Sequence, residues 1–262
     1  MAVAPLGLLS VRWVLIGAVA GVGAWWFFVA LMLSCGVQTE ALPYIAHAGA
    51  AATVGNLMMR FRPFRPSREP VAAAVLAIGL MVVVFILLPH WFMWVAARSS
   101  RPWLVAPAIA LGAAASAFLG AFPSRRTLGT VPRLVSILML SAFLTLGVTP
   151  LLGNVLFAVL GPGDLVLFGF VVTPIAVFAA GFLTQLVTPT YRPWACGAGW
   201  FFALGLVVKE RWSAAPGVPL IDGETLIISI GVLLLGAFGA QLAGRFAPAP
   251  EAESGVPRAH LE

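Results

Sequence analysis

Charge is what this chain has least of: Asp, Glu, Lys and Arg make up 9% of its 262 residues, against about 25% in a soluble globular domain. Hydrophobic residues make up 61%, more than a water-soluble fold of this length can hide, since such a domain still exposes about a quarter of its chain surface. Cysteine is almost missing. Cys35 and Cys196 fall at opposite ends of the membrane in the topology derived below, so they are not expected to pair, and two thiols alone make no metal motif. The three histidines, His47, His90 and His260, lie at different depths, which excludes a bis-histidine haem and a zinc site. No cofactor or metal is expected. Also lacking are a Gly-x-Ser-x-Gly elbow, a Walker A loop and a His-Glu-x-x-His helix, so no catalytic constellation is visible and the chain is not expected to be an enzyme.

What the sequence has is long runs without charge. A charge at the bilayer centre costs at least about 2.5 to 3.5 kcal/mol on insertion scales, so such runs locate spans. They are Trp13 to Thr39, Ala41 to Met59, Pro70 to Ala97, Pro102 to Ser124, Leu134 to Gly163, Leu165 to Tyr191, Pro193 to Val208 and Thr225 to Gly244. A membrane barrel would alternate polar and apolar residues; these runs do not, so the backbone must satisfy itself as helices. The expected fold is all-α, a polytopic integral membrane bundle of about eight transmembrane helices, with spans near 13–34, 42–59, 71–97, 103–122, 132–150, 165–187, 193–208 and 225–244. Together they form one transmembrane domain, 1–246, followed by a disordered cytoplasmic tail, 247–262, rich in Ala, Pro and Glu. The first run is too long for a signal-peptide core and is read as a retained span.

The second window is the least apolar, with His47 and Asn56 inside it, and a re-entrant or protein-buried helix is its rival reading. Leu151 to Gly161, bounded by Pro150 and Gly161-Pro162-Gly163, reads either as an interfacial or re-entrant half-helix or as the end of an overlong, kinked fifth span.

Lys and Arg distribution sets orientation. With the N-terminus inside, the inner links carry Arg12, Arg60, Arg62, Arg65, Arg68, Arg125, Arg126, Arg133, Arg192, Arg245 and Arg258, and the outer links carry Arg98, Arg101, Lys209 and Arg211. Both termini are therefore expected in the cytoplasm, in a plasma or bacterial inner membrane. The formal net charge of +6 follows from this bias and does not call for nucleic acid. In the longest inner link, Arg60, Arg62, Arg65 and Arg68 are spaced among prolines and suit anionic lipid headgroups or a docking partner.

Arg101-Pro102-Trp103 and Arg192-Pro193-Trp194 each follow one long span and open another. Three spans per unit would relate them as a weak inverted repeat, an architecture frequent among transporters. Small residues four apart, at Gly17 and Gly21, Ala48 and Ala52, and Ala51 and Gly55, suit close helix packing.

With no Asp, Glu, Lys or Arg in mid-span, a proton pump or voltage sensor is not expected. The polar groups at depth are uncharged: His47, Thr53, Asn56, Thr145, Thr173, Gln185 and Gln241. The leading expectation is a small transporter or permease subunit for a neutral or amphipathic solute, its polar path carried by His47, Asn56 and Gln185. The alternative is a non-catalytic scaffold subunit of a larger membrane complex, with other membrane subunits as partners beside the lipid bilayer. Third comes an interfacial lipid-modifying enzyme, which would have to use Glu40, Asp222 or Glu224.

Overall fold

A computed structural model describes residues 11–36, 42–61, 68–87, 102–121, 130–160, 171–188, 193 and 223–246. These residues form seven α-helices and no strand: α1 Val11–Ser34, α2 Leu42–Phe61, α3 Arg68–Leu87, α4 Pro102–Ala121, α5 Thr130–Leu160, α6 Thr173–Val187 and α7 Gly223–Phe246. The expected seventh span, 193–208, lies outside the described residues except for Pro193, as do the tail 247–262 and the arginines of both Arg-Pro-Trp tripeptides. Among the described residues two stretches, Val11–Leu33 and Pro132–Leu156, are long and apolar enough to cross a membrane; Leu111–Gly120, Thr173–Val187 and Ile230–Phe246 are apolar but shorter.

Local chemistry explains several helix ends. α1 stops where Gly36 adopts φ 77°, a left-handed residue that lets its N–H return to Leu33 O at 3.0 Å and would strain a side chain. Pro102 opens α4, where a missing N–H costs nothing. α6 ends at Thr188, whose N–H still reaches Thr184 O at 2.9 Å while its backbone turns to φ −129°, because Pro189 disfavours the helical region for the residue before it. Pro150 does not break α5. The helix runs through it for 31 residues, so 151–160 continues the fifth helix and is not a separate half-helix.

The packing runs outward from α1, which touches α2, α3 and α5; α4 lies against α2 and α3, α6 against α5, and α7 against α6. Small residues set these contacts. A Cβ added to Gly17 or Gly21 would stand 2.9 Å from the Cβ of Ala73 or Ala77, so α1 and α3 run in parallel with matching register. Met58 lies on Gly17, and Phe28 lies on Gly49, so α2 runs antiparallel to α1.

Three further seams share one pattern. In each, two glycines face the partner helix's backbone reciprocally: Gly23 meets Phe143 O and Gly147 meets Val19 O; Gly55 meets Ala117 O and Gly120 meets Ala52 O; Gly181 meets Gly236 O and Gly239 meets Phe178 O. Without Cβ atoms the backbones touch, which is how helices associate tightly where water supplies no hydrophobic drive.

Side-chain hydrogen bonds fix the directions. Arg60, near the end of α2, donates to Ser136, near the start of α5, at 2.8 Å. Arg12, at the start of α1, donates to Leu186 O at the end of α6. Only eight residues link α4 to α5, so α4 finishes at the same end, where Asn56 donates to Gly120 O at 3.1 Å. Phe61 packs on Ile137 and Ala240, which brings the end of α7 there as well. Arg12, Arg60, Arg68, Arg133 and Arg245, the five arginines among the described residues, therefore share one end of the bundle.

Candidate functional site

A cavity opens between α1, α2, α3 and α4. Its walls are Gly17, Gly21 and Trp25 of α1, His47 to Val54 of α2, Pro70 to Met81 of α3, and Ala113 of α4. It exists because the lining is built from Gly and Ala: two helices can approach at Gly17 and Gly21 while the space above Ala50, Ala51, Ala74 and Ala77 stays unfilled. Its volume, about 20 Å³ for water centres, exceeds the roughly 10 to 15 Å³ that one water needs. Among the described residues His47 is the one ionisable group on the wall. It is buried, and its ring stands 5.2 Å from that of Trp25, tilted by 50°. An imidazole there can give or take one hydrogen bond to a small guest; the rest of the wall offers apolar contact.

The structure does not bring the three expected path residues together. Asn56 lies nine residues beyond His47 on α2, about 13.5 Å along the axis, and its amide is spent on Gly120 O. Gly120 is among the last four residues of α4, whose carbonyls have no intrahelical donor, so Asn56 caps that helix. Gln185 is buried on α6, which packs chiefly on α5 and α7. The other deep hydroxyls bond their own helices: Thr53 donates to Gly49 O at 2.8 Å, Thr145 to Ser141 O at 2.9 Å, Thr149 to Thr145 O at 2.8 Å and Thr184 to Ala180 O at 2.7 Å. Back-bonding of this kind is the usual fate of Ser and Thr inside a helix. Thr173 is half-buried and Gln241 exposed.

Of the arginine link, Arg62 and Arg65 lie outside the described residues, and Arg68 is exposed. Arg60 is half-buried and turned into the bundle on Ser136, whose hydroxyl in turn donates to Pro132 O at 2.8 Å. Glu40 and Asp222 lie outside the described residues, and Glu224 sits in the first turn of α7. Among the described residues no three His, Cys, Asp or Glu side chains cluster as metal ligands would.

Two features escape a reading of the sequence. Arg12 looks like a flanking charge, yet it is half-buried and bonded across the bundle to α6. Glu69 looks like a solvated loop acid, yet it is 3% exposed. The signal available for both was position alone, since each lies one or two residues from a long apolar run. Comparison with protein-family models, with curated proteins and with solved structures gives no match.

Proposed function

We propose that the chain is a multi-pass membrane protein, its arginine end in the cytoplasm, that passes a small neutral or amphipathic solute between its first four helices. The observation that carries this reading is the cavity beneath His47 and Trp25: a polar, titratable group deep in an apolar bundle, facing unfilled space, is a functional candidate by default. The gathering of five arginines at one end supports the orientation, because positive residues are retained on the cytoplasmic side. Eight crossings, with 193–208 as the seventh, complete the topology; α5, at 31 residues, is about 46 Å long and crosses a 30 Å core tilted or with its end protruding.

The cavity has room for a water and not for a solute, so passage requires α1 and α3 to part along the Gly17 and Gly21 seam. Flux of small neutral solutes into proteoliposomes tests the reading. Wild-type protein is expected to pass at least one of them and His47→Leu to pass it several-fold more slowly; unchanged flux in His47→Leu removes the path.

A second reading, an assembly subunit of a larger membrane complex, is favoured by α7. Ile227, Ile230, Leu234 and Phe238 are all exposed and recur at helical spacing. Purification in mild detergent separates the two readings: stoichiometric partner subunits support assembly, and a folded monomer supports the permease.

A further inference from the structure

From the arginine end we infer a built site for a phosphate anion, held by Arg12 and Arg60. Both guanidiniums are half-buried. Each makes one hydrogen bond, Arg12 to Leu186 O and Arg60 to Ser136 Oγ, and both acceptors are neutral. In each, the Nε–H is fully buried and has no hydrogen-bond partner. A guanidinium carries five donors and cannot shed its charge, and a buried cation without an anion is among the costliest arrangements in a protein.

Among the described residues the bonded acceptors do not supply that anion. Arg12 sits on the C-terminus of α6 and Arg60 in the last turn of α2, where each helix end contributes only about half a negative charge. Glu69 opens α3 at the same end and has an interaction of its own, while the hydrogen bonds of Arg12 and Arg60 go to neutral groups. The two cations are also close in depth. Both lie beyond the contact between Gly17 and Met58, Arg12 by five residues and Arg60 by two, or about 7.5 and 3 Å along antiparallel axes. Exposed Arg68 follows at the start of α3.

Two forks on the neighbouring helices α1 and α2, about 4.5 Å apart in depth and with unspent donors, match the oxygens of a phosphate, which arginine prefers to engage with two parallel bonds. The source is either the headgroup of an acidic phospholipid or a free phosphate. The site does not depend on the permease reading; its lipid arm rests on the chain being a membrane protein, which resistance to carbonate extraction tests separately.

The experiment is native mass spectrometry of the full chain in detergent, titrated with phosphatidylglycerol, with phosphatidylcholine and with inorganic phosphate. Phosphatidylglycerol is expected to be retained at least tenfold better than phosphatidylcholine. Arg12→Gln and Arg60→Gln should each weaken it about tenfold, the scale of one charged hydrogen bond, while Arg245→Gln, exposed at the same end, should leave it unchanged. Competition by millimolar inorganic phosphate assigns a free anion; its failure assigns the headgroup. Equal retention of both lipids with no phosphate bound, or retention unchanged in Arg12→Gln and Arg60→Gln, overturns the site. Should those variants misfold, Arg12→Lys and Arg60→Lys keep the charge without the fork, and a wild-type melting temperature that neither phosphatidylglycerol nor phosphate raises overturns it equally.

Discussion

Gly23 of α1 and Gly147 of α5 each stand against the other helix's backbone, so closely that a Cβ on either would overlap a carbonyl oxygen, of Phe143 in one direction and of Val19 in the other. Backbone cannot retreat as a flexible side chain can. Gly23→Ala or Gly147→Ala must push α1 and α5 apart, and overpacking of this kind costs about 1 to 3 kcal/mol. Thermal unfolding in detergent should show a clear fall in melting temperature for either variant. Gly79→Ala and Gly244→Ala, where nothing lies within 4 Å, are expected to be neutral or slightly stabilising, by up to about 1 kcal/mol. Equal effects at all four positions would mean that the seam is not where the structure puts it.

The hydrogen bond from Arg60 to Ser136 predicts an energetic coupling between α2 and α5. Ser136→Ala removes a neutral acceptor and leaves the half-buried guanidinium with one partner fewer, at about 1.5 to 3 kcal/mol. Once Arg60→Gln is in place, Ser136→Ala should cost much less, because its remaining bond only returns to Pro132 O within α5. A double-mutant cycle on unfolding free energies reads the difference, and additivity within about 0.5 kcal/mol would deny the contact.

The gathering of arginines at one end predicts opposite accessibility for the two ends of α1. Cys35 is exposed at the end away from Arg12. In a Cys196→Ser background, a membrane-impermeant thiol reagent applied to whole cells should label Cys35 and should not label a cysteine placed at Gly244, which is exposed at the arginine end. The reverse pattern would invert the orientation, and labelling of both from outside would show that these helices do not traverse a bilayer.

These contacts show how far sequence carries. Charge-free windows coincide with the described helices, and even the polar second window became the full helix α2; the seventh window, 193–208, lies outside the described residues except for Pro193. Spacing of small residues marked helix-facing surfaces, as at Gly17 and Gly21, because close packing leaves a periodic trace. Partners leave none. That Gly23 meets α5 and Gly181 meets α7 depends on the arrangement of whole helices, to which no short stretch is committed. The bonds of the polar residues were hidden for a related reason: Asn56 and the buried threonines look like lining groups in a list of residues, yet a helix offers each a nearby carbonyl, and 121 and 187 end helices whose last carbonyls recruit Asn56 and Arg12.

Asn56 gives the sharpest separation between lining and capping. Its amide donates to Gly120 O, one of the terminal carbonyls of α4 that the helix itself leaves unsatisfied, beside the Gly55 and Gly120 seam. An interhelical bond of this type contributes about 0.6 kcal/mol on average and up to about 1.7. Asn56→Ala is therefore expected to lower unfolding stability by about 1 kcal/mol and to leave solute flux per folded molecule unchanged, whereas His47→Leu should reduce flux per folded molecule whatever it does to stability. Measuring both quantities on both variants matters more than either alone. If Asn56→Ala impairs flux as severely as His47→Leu while the protein stays folded, Asn56 belongs to the path and the cap is incidental, and the cavity between α1 and α4 would have to extend along α2 well beyond Val54.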